Sequence, residues 1–228
     1  MSQWVLDYPE AVVQFSERYL DEVGDGSKAP LLSLFATGGG MSLGELLIVP
    51  GASARILGMH MPYEQGETLR FLEPTLGALD KFDFCSEKTI SKYLQALEHR
   101  NRGNSVAPII SIVISAALTT TRWRRGDNRA FVGIHRPDGS REFYKIAISK
   151  QEKAEWEALY IVDGGVNMQA LAGRRRAEDE SISRAVMSLL LNDPSFASLN
   201  NGEYIARLYD SGSGGLTEDH NHWLDGEG

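Results

Sequence analysis

The segment Leu31-Leu32-Ser33-Leu34-Phe35-Ala36-Thr37-Gly38-Gly39-Gly40 decides the fold. Its first six residues form an apolar run of strand length, and three glycines follow at once. A helical pattern resumes directly after them at Leu43, Leu46 and Leu47. Strand, glycine turn and helix in this order form the repeating unit of open α/β sheets.

Working outward, residues 3–24 carry Val5, Ala11, Val12, Phe15, Tyr19, Leu20 and Val23 at helical steps, and Gly24-Asp25-Gly26 stops that helix. Downstream, Pro50-Gly51 marks a turn, and residues 53–61 read as a strand. A short helix is predicted over 63–71. A second is predicted over 86–100, with Ile90, Tyr93, Leu94 and Leu97 as its buried stripe. Residues 107–118 are the most apolar stretch, and their isoleucines indicate a strand buried on both faces. The turn Arg136-Pro137-Asp138-Gly139-Ser140 joins two strand-like runs, 129–135 and 142–148, into a hairpin. Helical spacing then runs from Gln151 to Tyr160, is interrupted at Gly164-Gly165, and resumes from Arg174 to Leu191. The resulting expectation is a mixed β-sheet with helices on both faces, a three-layer α/β/α domain over residues 1–192. Residues 193–228 read as a polar acidic tail, partly disordered, with a short helix at 202–209.

Composition narrows the function classes. The 228 residues carry a net charge of −8, which excludes a general nucleic-acid coat. Cys85 is the single cysteine, so the chain has no internal disulfide or multi-cysteine zinc site, in keeping with a reducing compartment. No secretory pattern opens the sequence and no apolar run reaches membrane-spanning length, so a cytoplasmic protein without membrane association is expected.

Three places could carry chemistry. Thr37 and the glycines Gly38, Gly39 and Gly40 stand where free N–H groups at a helix start could receive an anion, although a tight turn alone would also call for glycine. The loop after the apolar strand holds Thr119, Thr120, Arg122, Arg124, Arg125 and Arg129. Its arginine forks suit phosphate or carboxylate, unless they pair with the protein's own acids. Tyr63, just after a strand, could hydrogen-bond a ligand or serve as acid or base. Other features read as structural: His60 as a satisfied strand histidine, Cys85 as small-residue packing, and Arg174-Arg175-Arg176 with Glu178-Asp179-Glu180 as a solvated helix face of i,i+4 pairs. Asp219, His220 and His222 form a loose metal-ligand pattern, and no metal is assigned to it.

Taken in order, these segments resemble the C-terminal domain of the CinA family, which includes the nicotinamide-nucleotide amidases. The resemblance rests on Thr37-Gly38-Gly39-Gly40, Val49-Pro50-Gly51-Ala52-Ser53, Pro62-Tyr63, Leu69-Arg70-Phe71-Leu72, Cys85-Ser86-Glu87, the isoleucine-rich strand and Arg136-Pro137-Asp138-Gly139. It implies the same α/β/α fold, frequent self-association and a pocket for a small phosphorylated ligand. In the amidase branch the glycine loop carries a nucleophilic serine, assisted by a tyrosine and a lysine. Aligning the glycines places Ala36 at the serine, Tyr63 at the tyrosine and Thr68 at the lysine. A methyl group cannot attack a carbonyl, so this resemblance is to a divergent branch lacking the catalytic serine.

Three functions follow as expectations. The first is a pocket binding a small phosphorylated metabolite, a pyridine nucleotide or a relative, through Gly38–Gly40, Thr119, Thr120, Arg122, Arg125 and Arg129, without amidase chemistry or a cofactor. The second is a hydrolase with relocated groups drawn from Tyr63, Thr37, Ser42 and Cys85. The third is a homo-oligomeric scaffold.

Overall fold

A computed structural model describes residues 7–22, 30–73, 83–103, 107–197, 199–200, 202–210 and 216–219. The elements in chain order are α1 (Tyr8–Glu22), β1 (Leu31–Thr37), β2 (Ile56–His60), α2 (Gln65–Leu72), α3 (Glu87–Asn101), β3 (Ile109–Ala117), β4 (Asn128–His135), β5 (Arg141–Ile148), α4 (Lys153–Tyr160), β6 (Ile161–Val162), β7 (Gly165–Val166), α5 (Met168–Leu191), β8 (Tyr204–Asp210) and β9 (Leu216–Asp219). The main sheet runs in the order β2-β1-β3-β4-β5-β8-β9. β1 pairs parallel with both β2 and β3, and every later pairing in the sheet is antiparallel. This is the mixed sheet that the strand pattern predicts.

Two apolar layers cover it. On one face Leu32, Leu34, Ile112, Ile114, Val132 and Ile134 pack with Phe15 of α1 and Ile182 and Val186 of α5. On the other, Phe35, Val113 and Phe131 pack with Phe71 of α2 and Ile90, Tyr93 and Leu97 of α3. Successive residues of a strand point to opposite faces, so the largely apolar runs of β1 and β3 follow from burial on both sides. The predicted hairpin also forms: Arg136 N donates to Ser140 O at 3.0 Å and Gly139 takes φ +87°.

Three local expectations are corrected. The stretch after the glycine turn is a 3-10 helix, Met41–Ile48, not an α-helix. Three residues per turn bury Leu43 and Leu46 and leave Leu47 53% and Ile48 80% exposed. Gly164-Gly165 does not merely interrupt a helix. Gly164 sits at φ +76° in the turn of the small β6–β7 hairpin, and α5 starts at Met168, six residues before Arg174. The predicted helix over 202–209 is strand β8, paired with β5 through Phe143↔Leu208 to Ala147↔Tyr204. Alternate burial of Ile205 and Leu208 against the two layers explains the strand, and this part of the expected tail therefore belongs to the sheet. Of the helix expected over 3–24, the described residues carry Tyr8–Glu22, and its Gly24-Asp25-Gly26 stop lies outside them. His220 and His222 lie outside them as well.

Ile112, wholly buried in the central strand, tests the double layer. Ile112→Ala should lower the free energy of unfolding by about 2–5 kcal/mol in a urea titration. A loss under ~1 kcal/mol would contradict a packed central strand.

Candidate functional site

Parallel pairing in the register Thr37↔Ser115 brings the C-terminal ends of β1 and β3 side by side. A cleft of about 380 Å³ opens there. It is lined by Thr37 and Gly38 at the end of β1, Ser115 and Ala116 of β3, Tyr63, Gln65 and Thr68 at and before the start of α2, and Phe84. This is where an open α/β sheet ordinarily places a ligand. The pleat of β1 gives the cleft Thr37, whereas Ala36 is buried in the layer under α1 and α5.

The glycine turn is shaped by packing. Gly38 and Gly40 hold φ +78° and +81°. A Cβ on Gly38 would stand 2.0 Å from Ala116 O, and one on Gly40 would stand 2.7 Å from Ile114 Cδ1. Glycine is thus required both by the left-handed backbone and by the close approach to β3. Gly38 borders the cleft, while a Cβ on Gly39 would meet Ala116 Cβ at 2.8 Å.

The anion-attracting start of the 3-10 helix is already filled. Met41 N and Ser42 N donate to the carboxylate of Asp179 at 3.1 and 2.7 Å, and Ser42 Oγ donates to it at 2.6 Å. The neighbouring Glu178 does the same for the loop after β3. Thr119 N (2.8 Å), Thr119 Oγ1 (2.6 Å), Asn128 Nδ2 (2.9 Å) and Arg174 Nε (2.9 Å) all donate to it. Both carboxylates are buried. The expectation of a solvated face for 174–180 is therefore corrected: Arg176 and Glu180 form the predicted exposed i,i+4 pair, but Glu178 and Asp179 point inward. The sequence held a usable signal, because Glu178 stands four residues before Ile182 on the stripe that continues to Val186.

Arg175 completes the arrangement. Its guanidinium donates to Thr119 O (2.8 Å), Gly38 O (3.0 Å) and the Tyr63 hydroxyl (3.2 Å). One side chain thereby joins the glycine turn, the arginine loop and the strand-end tyrosine. Tyr63 is 69% exposed and lines the cleft.

The arginine loop lies at the same sheet edge, as expected, but its parts divide. Arg124 Nη2 turns back to Leu118 O (2.9 Å) and Asn128 Oδ1 (3.0 Å). Arg129 donates to Cys85 O at 3.2 Å. Lys150 crosses the loop, donating to Arg124 O and Gly126 O with its Nζ 4.4 Å from the Trp123 ring centroid. Thr120 Oγ1 donates to Arg122 O at 2.8 Å. Arg122 and Arg125 remain exposed, and their guanidinium groups have no hydrogen-bond partner among the described residues. The remaining candidates are settled by burial. Cys85 Sγ lies 3.4 Å from Ser115 O, and burial pushes its thiol up to about 11, so it is a packed thiol and not an activated nucleophile. Ser42 is committed to Asp179. The Thr37 hydroxyl borders the cleft with no hydrogen-bond partner among the described residues. Among the described residues no cluster of His, Cys, Asp or Glu could hold a metal, and no helix is long and apolar enough to cross a membrane.

Comparison with known proteins gives the fold. No family model matches the chain, and no curated protein matches it. Solved structures do. A competence or damage-inducible protein from Enterobacter asburiae is 13% identical at TM-score 0.55, covering 81% of this chain and 96% of its own. A CinA superfamily protein from Enterobacter cloacae is 12% identical at TM-score 0.54, covering 81% and 90%. A competence damage-inducible protein A from Klebsiella pneumoniae is 10% identical at TM-score 0.54, covering 82% and 96%. The α/β/α architecture is thus similar to CinA-superfamily structures.

Asp179→Ala removes the acceptor of three hydrogen bonds and should cost about 1–3 kcal/mol of stability in urea unfolding. A loss below ~0.5 kcal/mol would show that the 3-10 helix does not depend on it. Cys85 should react with a disulfide reagent at pH 8 at least ~100-fold more slowly in the native protein than in urea. Rates within tenfold of each other would contradict the buried thiol.

Proposed function

We propose that this CinA-like domain binds a small phosphorylated metabolite, a pyridine nucleotide or a relative of one, in the cleft between Thr37, Tyr63 and Ser115, without serine amidase chemistry. The observation that carries this reading is Arg175, fixed by two backbone carbonyls beside the cleft and reaching the Tyr63 hydroxyl. A guanidinium held in place meets an oxyanion with little further ordering cost. The cleft supports the same reading by its size and chemistry. Its volume of about 380 Å³ suits a small molecule. Its polar side chains, Thr37, Tyr63, Gln65, Thr68 and Ser115, are neutral, so nothing in the lining repels a phosphate.

The internal carboxylates relocate the anion. Thr119 is occupied by Glu178, and Arg129 is turned to the Cys85 carbonyl. Arg175, with Arg122 and Arg125 on the adjoining loop, supplies the cations in this proposal. Gly38 lets the backbone approach the ligand, while Gly39 and Gly40 serve the turn. The amidase step is left out because Ala36 is buried away from the cleft and Thr68 carries no amine. A second reading, hydrolysis with Thr37 as nucleophile and Tyr63 assisting, is favoured by the unpartnered Thr37 hydroxyl in the cleft.

A thermal-shift titration with nicotinamide mononucleotide, nicotinate mononucleotide and ADP-ribose separates these readings. At millimolar concentration at least one should raise the melting temperature by ~2 °C or more, and Arg175→Gln should remove that shift. No shift with any of them overturns the binding proposal. Ammonia release from nicotinamide mononucleotide, abolished in both Thr37→Ala and Tyr63→Phe, would establish the hydrolase in its place.

A further inference from the structure

Arg175 and Tyr63 are unequal partners in the contact they share at the cleft. Arg175 is anchored twice, donating from Nη1 to Thr119 O (2.8 Å) and from Nη2 to Gly38 O (3.0 Å). Those carbonyls follow the central strands β3 and β1. Tyr63 has a looser hold. Its ring is 69% exposed, and among the described residues its hydroxyl has no hydrogen-bond partner besides Arg175.

The start of α2 does not depend on Tyr63 either. Glu64 makes that start: its carboxylate accepts from Glu67 N (3.1 Å), and its carbonyl accepts from Thr68 N (3.0 Å) and Thr68 Oγ1 (3.1 Å). Tyr63 can therefore turn about its own side-chain bonds with the helix intact. Exposed side chains make such turns in picoseconds to nanoseconds.

The donors of Arg175 give this asymmetry a consequence. A guanidinium offers an oxyanion paired N–H groups along two edges, Nε with Nη2 and Nη1 with Nη2. Both edges use a hydrogen of Nη2. That nitrogen gives one hydrogen to Gly38 O and the other to the Tyr63 hydroxyl. Tyr63 in place therefore closes both paired edges. Gly38 O belongs to a turn packed tightly on β3, where a Cβ on Gly38 would stand 2.0 Å from Ala116 O, so the phenol is the partner that can leave. It is also the weaker acceptor, because a charged oxygen makes a hydrogen bond roughly twice as strong as a neutral one.

We propose that Tyr63 is a latch on Arg175: before a ligand arrives its hydroxyl stands where a phosphate oxygen will stand, and binding swings it off. This rests on the reading of Arg175 as the cation that meets the ligand. Every ligand then meets the same opening cost, so the latch lowers affinity uniformly and leaves the ranking of ligands to the lining of the cleft. Removing the hydroxyl should tighten binding, the reverse of what a phenol that holds the ligand would show.

The test titrates inorganic phosphate into the full chain at ionic strength held constant with sodium chloride. NMR follows the Tyr63 ring and the backbone amides of Gly38 and Thr119. Without phosphate, Arg175→Gln should release the Tyr63 ring and shift its resonances, and saturating phosphate should move those of the unsubstituted protein the same way. Tyr63→Phe removes only a hydroxyl from an exposed ring, so the fold is kept. It should lower the midpoint of the amide shifts by about two- to tenfold, as expected for the loss of one competing hydrogen bond. An equal or higher midpoint in Tyr63→Phe, or a Tyr63 ring that Arg175→Gln leaves unmoved, overturns the latch and leaves the binding proposal standing. Amides with no saturable shift in Tyr63→Phe, where Arg175 is uncovered, overturn the binding proposal and the latch together.

Discussion

Two adjacent carboxylates on α5 hold the C-terminal ends of β1 and β3 together. A buried carboxylate is costly unless its oxygens are met by donors. Glu178 and Asp179 meet that condition by accepting from two different loops, one after each of the central parallel strands β1 and β3. The loops in turn have backbone N–H groups that need acceptors. Each side therefore satisfies the other, and the ends of β1 and β3 are fixed relative to the helix that crosses them.

This constraint reshapes what the edge can bind. An anion that would otherwise seek the glycine turn finds the protein's own carboxylate there. Positive charge is displaced one turn back along the helix, to Arg175, whose guanidinium faces carbonyls and a phenol and, among the described residues, no carboxylate. The cleft thus has a neutral polar lining beside a fixed cation. That arrangement distinguishes it from a phosphate cradle built of backbone amides.

Much of the fold was legible in the sequence because the strands are short, apolar and bounded by glycine and proline. The run at 109–114, apolar but for Ser111, could satisfy burial only between two layers. Legibility failed where a residue's partner was distant. Residues 204–209 include Ala206, Arg207 and Leu208, all good helix formers, and pass for a helix until β5 is placed beside them. The 174–180 segment shows acids and bases at i,i+4, which reads as a solvated face. Its true orientation depends on loops up to 138 residues away. The site candidates divide the same way. Tyr63, Thr37 and Gly38 were visible as strand-end residues, and all three border one cleft. Arg175 and the internal use of Thr119, Arg124 and Arg129 were not, because a hydrogen bond to a carbonyl leaves no mark on composition.

The separation along the chain has a temporal side. The partners that Asp179 and Arg175 hold on the glycine turn are 137 or more residues earlier in the sequence. A ribosome extends a chain by about 5–20 residues per second, and early segments emerge first. β1, β2 and β3 therefore leave the ribosome seconds before α5 exists to pin their loops. During synthesis the amides of residues 41 and 42 depend on water or on borrowed acceptors until α5 has emerged, shortly before β8 and β9 complete the sheet.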